Sequence, residues 1–270
     1  MSCLRPAGPV GFPDGTCVDL VDLAKMDRHI GFVVDSQSEF DELVLPLFDE
    51  GLRSGEKLIV FGSGPGSDAG GFSRNEQWQV NGMAAELRRE VAAARHEGYR
   101  GVRVLAEMHE LGMTPLSTQE LIAFELALDR TVKTCGATML CSYRRHMFAP
   151  TAVAAAMSAH AHSYGANYDD LGFRMWSGDG NRWNVRGAIE LGNVASFRTA
   201  LHSAVDENTT LRLCFADLRF LDLAGLQTLA DLVESFPKLS LRVESPPHSF
   251  RRCWQMLGYD ETCPRVEITG

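Results

Sequence analysis

Two sets of residues in this 270-residue chain are of types and at spacings that could do chemistry. The first is Asp217, Asp222, Leu223, Ala224, Gly225 and Leu226, in the stretch LRLCFADLRFLDLAGLQTLADLV. The alternating run Leu211, Leu213, Phe215 predicts a strand ending at Asp217. A short second run ends at Asp222, and a helical pattern opens near Gly225 with an Asp in place to cap it. Such a helix start offers free N–H groups and the positive end of the helix dipole, which stabilise a phosphate or another anion. The second set is His29, Glu107, Cys141 and Tyr143, all at predicted strand ends, where α/β sheets place their ligand crevices. His29 precedes its strand and fits that rule less well. The same residues also fit a plainer reading, with Cys141 a small core residue and Glu107 a loop carboxylate.

Other chemistries find less support. His146, His160, His162 and Cys141 raise the question of zinc. The prediction is no metal, because His160 and His162 stand two apart on an expected helix and do not share a face. No GxSxG elbow and no HExxH string is present, so no hydrolytic nucleophile has sequence context. GSGPGSDAGG follows a strand but carries no GxxxxGK[ST] pattern, and reads as a flexible connection rather than a phosphate cradle. Asp169-Asp170 read as turn residues. The expectation is a protein that is not an enzyme and holds no cofactor.

Composition sets the frame. Hydrophobic residues make up 45% of the chain and charged residues 23%, as in a soluble globular protein with material for a core. A net charge of −9 argues against a general nucleic-acid binder, which needs clustered Lys and Arg. The compact basic groups include Arg144-Arg145-His146 and Arg251-Arg252. No apolar run is long enough to span a bilayer, and the Pro- and Gly-rich start lacks an apolar signal segment. The seven cysteines are scattered with no CxxC pair, which favours reduced thiols in a cytoplasmic setting.

The elements that must position these residues alternate. Strands are expected at 29–34, 57–61 and 137–143, and 98–108 reads as a turn and a strand ending in Glu107. Helices are expected after Ser38, which can act as a cap, and over 76–97, 119–133 and 150–163. After the Gly/Asn/Asp-rich GANYDDLG the pattern restarts with a hairpin (FRMWSG, RWNVRG), a helix at 192–206, the strand–helix unit at 211–235, a strand at 239–243 and a helix at 248–257. This order predicts a largely parallel α/β sheet followed by a smaller α/β unit. The expected division is a flexible leader at 1–24, a first domain at 25–166, a linker at 167–172 and a second domain at 173–270.

The second half resembles the STAS family of sulfate-transporter and anti-sigma-factor-antagonist domains. Asp217, Asp222, Gly225 and Leu226 match the family's motif, and RGAIELGNVASFRTAL is similar to another of its segments, with Glu190 where Asp is usual. Leu223 and Ala224 stand at the two hydroxyl positions, so the phosphorylatable serine is missing. Thr228 is a poor substitute because it falls inside the helix.

The first half is similar to the MEDS family of methanogen/methylotroph DcmR-type sensory domains. The match rests on His29 in RHIGFVV, LRSGEKLIVF, EGYRGVRVLAEM, Glu125 in FELALDR, CSYRRHMF, His160 and Asn167-Tyr168. Arg144 stands where Asp is expected. This resemblance implies a degenerate RecA-like fold, and it adds Arg144 and His160 to the ligand-binding candidates His29, Glu107, Cys141 and Tyr143.

Together the resemblances imply a cytosolic bacterial signalling regulator. The first domain would sense a small molecule. The second would bind an anti-sigma factor of the kinase type, or pair with a second copy, through Asp217, Asp222, Leu223, Ala224, Gly225 and Leu226. The alternatives are a nucleotide-binding protein or enzyme using the RecA-like half, and a self-assembling scaffold.

Overall fold

The computed structural model describes residues 10–11, 17–62, 72–75, 82–109, 116–165, 172–206 and 210–270. Strands β1 (Val10–Gly11) and β2 (Cys17–Val18) form a short antiparallel pair. A six-stranded sheet follows, built from β3 (His29–Val34), β4 (Glu56–Phe61), β5 (Phe72–Asn75), β6 (Gly101–Glu107), β7 (Thr138–Arg144) and β8 (His162–Tyr164). Its order is β5-β4-β6-β7-β3-β8, and every neighbouring pair is parallel. All six residues of β3 are buried, as expected of a central strand covered on both faces.

The period-2 geometry of the strands separates the two faces. Ile30, Phe32, Val34, Val60, Leu105 and Leu140 pack with α1 (Leu20–Met26) and α2 (Gln37–Arg53). Val33, Val104, Met139, Cys141 and Tyr143 pack on the other face, with α3 (Met83–His96), α4 (Thr118–Cys135) and α5 (Pro150–Ser158). Helix α4 is well delimited: Ser117 and Glu120 close a capping box at its start, and Gly136 ends it in the left-handed conformation at φ 73°.

The second sheet runs β13-β12-β11-β10-β9, from β9 (Phe173–Ser177), β10 (Arg182–Ile189), β11 (Thr210–Leu221), β12 (Ser240–Glu244) and β13 (Val266–Thr269). Only the β9–β10 hairpin pairs antiparallel. Strand β10 alternates half-buried and buried residues, the pattern of a sheet with one covered face. Its core joins Trp183, Val185 and Ile189 to Phe197 and Leu201 of α6 (Val194–Ala204), Leu226 and Leu229 of α7 (Leu223–Ser235), and Phe250 and Trp254 of α8 (His248–Met256). The short α9 (Tyr259–Thr262) precedes β13. The same core includes Ile122, Leu126, Ala155 and Ala159 of the first unit, so the two units share one apolar interface. Among the described residues, no helix is long and apolar enough to cross a membrane.

Several expectations are corrected. The chain docks before residue 25: Asp19 caps α1, and Leu20, Leu23 and Ala24 are buried in the core. Ser36, not Ser38, caps α2. Helix α3 spans Met83–His96, while residues 76–81, where it was expected to begin, and 63–71, most of the glycine-rich stretch, lie outside the described residues. The expected helix over 150–163 stops at Ser158, and His162 lies on β8. The expected strand end at Asp217 is an irregularity within β11, where pairing with β10 shifts register between Asn184 and Arg186. The expected linker at 167–172 lies outside the described residues except for Gly172.

Candidate functional site

The chemistry of the first unit is concentrated between its sheet and α4. His29 on β3, with Cys141 and Tyr143 two apart on β7, project onto the same face, because one-residue steps alternate sides. Glu125 and Asp129 come from α4 at i, i+4 spacing, which places both carboxylates on one side of that helix. His160 arrives just past the C-terminal end of α5. Gly31 makes room for it: a Cβ there would lie 2.7 Å from Met157 Cε and 3.1 Å from His160 Nδ1. His29, Glu125, Cys141, Tyr143 and His160 have no exposed surface, and Asp129 has 1%.

The contacts are close and directional. His29 Nε2 lies 3.4 Å from Glu125 Oε2 and 3.4 Å from Cys141 Sγ. His29 Nδ1 lies 3.4 Å from Asp129 Oδ1. The His29 and His160 rings stack with centroids 4.1 Å apart. His160 Nε2 lies 3.5 Å from Glu125 Oε2, and its Nδ1 lies 2.9 Å from the Ala156 carbonyl. Tyr143 donates its hydroxyl to Glu125 Oε1. Among the described residues, Glu125 Oε2 and His160 Nε2 have no hydrogen-bond partner.

Burial and mutual charge set the protonation. Burial opposes charge on His29, but Cys141, Asp129 and Glu125 outweigh it and hold the imidazole well above its ordinary range. Burial likewise opposes ionisation of Glu125, and the two imidazoles and the Tyr143 hydroxyl outweigh it. Asp129 is held at about 2 against burial by its bond to His29 and by Lys133. Burial and then His29 push His160 down to about 4. Burial and Glu125 push the Cys141 thiol up to about 12, and burial pushes Tyr143 well up.

This cluster is bonded directly to the second unit. Asp129 Oδ2 accepts the backbone N–H of Ser177 on β9 at 2.6 Å, and Lys133 bridges Asp129 Oδ1 (2.9 Å) to the Ser177 carbonyl (2.6 Å). Arg174, also on β9 and 4% exposed, donates to the His160 carbonyl at 2.9 Å and to Ser163 Oγ at 2.8 Å. Directly after Asp129 on α4, Arg130 donates to the Ala204 carbonyl and stacks over Trp183. A cleft of about 250 Å³ opens beside these contacts, lined by Arg130, Lys133, Ser177, Asp179, Asn181 and Trp183.

Of the six ligand-binding candidates, the structure brings His29, Cys141, Tyr143 and His160 together. Glu107 and Arg144 form a separate pair at the carboxyl edge of the sheet, 3.5 Å apart, where Arg144 also covers the Phe40 ring. The carboxyl-edge crevice expected for Glu107, Cys141 and Tyr143 is therefore not where the cluster lies, since Cys141 sits within β7 and packs on the face covered by α4. His146 is exposed on a 3-10 turn, and His162 Nδ1 lies 3.0 Å from Asp27 Oδ2. Sequence reasoning missed Asp129 altogether. Its signal was present: two acids at i, i+4 on the apolar stripe of Leu121, Ile122, Leu128 and Val132.

In the second unit, Asp222 caps α7, its Oδ1 accepting from Gly225 N at 2.8 Å. Gly225 is required there, because a Cβ would lie 2.6 Å from Leu221 Cδ1. Leu223 is 60% exposed on the first turn, with Phe220 at 47% on the strand before it and Leu191 at 77% on the connection after β10. Asp217 is exposed, Ala224 half-buried and Leu226 buried, so Leu226 belongs to the core rather than to the surface. Thr228 is buried and donates to the Ala224 carbonyl.

Fold and site thus define two α/β domains interlocked through a buried polar network. A family model described as MEDS, the methanogen/methylotroph DcmR sensory domain, matches residues 67–161, and the STAS domain model matches residues 183–267. The chain carries a MEDS domain followed by a STAS domain. Glu125, Cys141, Tyr143 and His160 fall inside the first match, and His29 lies upstream of it. A crystal structure of an anti-sigma factor antagonist from Mycobacterium paratuberculosis is similar over 38% of this chain and 89% of that chain, with 21% identity and a TM-score of 0.32. No curated protein matches the chain.

Proposed function

We propose that this protein is a non-enzymatic cytoplasmic signalling regulator of the anti-sigma-factor-antagonist kind. Its MEDS domain receives a small-molecule signal and its STAS domain delivers the output by binding an anti-sigma factor. One observation carries this reading: the buried cluster is bonded to β9 of the second sheet through Asp129–Ser177 and through Arg174 to His160. A change of charge or occupancy at His29 or Glu125 is therefore felt at the first strand of the STAS unit without crossing a flexible joint. The cleft beside Lys133 gives a small anionic molecule access to the same bridge, since Lys133 holds both Asp129 and Ser177.

The output surface is the apolar edge of Leu191, Phe220 and Leu223 around the capped start of α7. With Leu223 and Ala224 in place of hydroxyl residues, no phosphate can be added at those positions to repel an acidic partner. Partner binding would then be governed from the MEDS domain instead. The test uses the full chain as bait for anti-sigma kinases, beside a Leu223→Glu variant. Capture by the native chain and loss with Leu223→Glu support the reading. Failure of the native chain to bind any anti-sigma factor removes the assigned output.

A further inference from the structure

We propose that His29 Nε2, Glu125 Oε2, Cys141 Sγ and His160 Nε2 form a tetrahedral site for a divalent cation of the zinc type. One donor atom from each of the four residues lies within 4.8 Å of the others, and none of the four side chains is exposed.

Three of the six donor–donor edges have the lengths of a coordination shell. With zinc–nitrogen, zinc–oxygen and zinc–sulfur bonds of about 2.0–2.3 Å, tetrahedral edges come to about 3.4 Å for N–O and about 3.6 Å for N–S. The His29–Glu125 and His160–Glu125 edges are 3.4 and 3.5 Å, and the Cys141–His29 edge is 3.4 Å. The second shell fits as well. Ligating histidines usually give their other ring N–H to a carboxylate or a backbone carbonyl. His160 Nδ1 faces the Ala156 carbonyl, and His29 Nδ1 faces Asp129.

The orphaned atoms point the same way. A carbonyl can only accept, so the proton of neutral His160 sits on Nδ1 and its Nε2 carries a lone pair. That lone pair faces Glu125 Oε2, another acceptor, and among the described residues neither atom has a hydrogen-bond partner. A cation held between these two buried acceptors would satisfy both. The charge also balances: a dication with one thiolate, one carboxylate and two neutral imidazoles is neutral overall, as a dry site demands. Loading expels the Cys141 thiol proton and, from a doubly protonated His29, the proton on Nε2. A mixed nitrogen, oxygen and sulfur set in this geometry suits zinc better than calcium or magnesium, which take oxygen donors.

The expectation of no metal rested on His160 and His162 sharing a helix. The structure separates that pair and supplies His29 and Glu125 from other elements. The inference deepens the sensory reading of this cluster, yet it is measured without any partner protein, so the two fail separately. The full chain is produced with zinc in the medium, dialysed extensively, and assayed for metal by mass spectrometry. One zinc per chain is expected, retained in Cys135→Ser and lost in Cys141→Ser and Glu125→Gln. X-ray absorption at the zinc edge of the native protein needs no variant and is expected to show one sulfur and three nitrogen or oxygen neighbours. Cobalt-loaded native protein is expected to show the intense visible bands of a tetrahedral thiolate complex. A metal-free native chain, or bound zinc with no sulfur or several sulfur neighbours, overturns the proposal and leaves a protonated His29 as the cation of the cluster.

Discussion

The cluster of the MEDS domain and the capped helix start of the STAS domain handle polarity in opposite ways. The first buries His29, Glu125, Asp129 and His160 together and leaves acceptor atoms facing one another. The second satisfies its polar groups locally, with Asp222 on the Gly225 N–H, and turns Leu223 and Phe220 outward. Under the proposed function, this difference would place the input at the first domain and the output at the second.

The largest expected effect lies in the buried cluster. Glu125→Ala removes the carboxylate that faces His29, Tyr143 and His160, and breaking a buried pair in this way costs about 3–5 kcal/mol. Chemical denaturation of the variant reads this as a lowered midpoint, and a loss under 1 kcal/mol (roughly the scale of an exposed ion pair) contradicts the assigned geometry. Next comes Gly31→Ala, whose added methyl meets Met157 at 2.7 Å. Overpacking of this sort costs about 1–3 kcal/mol. Met157→Ala in the same chain is expected to recover part of the loss, and no recovery would place the strain elsewhere.

The STAS side gives smaller numbers. Asp222→Ala removes one helix cap, worth about 1 kcal/mol. Thermal unfolding of Asp222→Ala against the native chain measures it, and an unchanged midpoint would mean the cap is not formed in solution. Leu223→Ser is expected to change stability by less than about 0.5 kcal/mol, as for an exposed position. A larger loss would show that Leu223 is packed rather than presented.

Much of this comparison is legible in the sequence, and its gaps have physical causes. Strands β3, β4, β6 and β7 announce themselves as short apolar runs, and the α7 cap follows from Asp222 and Gly225. Helix α1 does not, because seven residues after a Pro- and Gly-rich stretch carry too little periodicity to separate from a leader. The stop of α5 at Ser158 is equally silent, since AHAHS continues an Ala-rich run that favours helix by composition. That misreading placed His160 and His162 on one element, whereas His162 lies on β8. The cluster itself is non-local: His29 and Cys141 stand 112 residues apart and meet only through strand order. No spacing rule reaches that far. The interface between the domains is likewise invisible from sequence, because Ile122 and Leu126 read as one helix's ordinary apolar stripe.

The central claim is that the buried cluster and the partner surface are one connected system. Hydrogen–deuterium exchange on the full chain, comparing native protein with Glu125→Gln, tests it most directly. The account predicts faster exchange in the variant not only around His29 and α4 but also at Phe173–Ser177 and at the start of α7, residues 222–226. Changes confined to the first domain, with β9 and α7 exchanging as in the native chain, would contradict it.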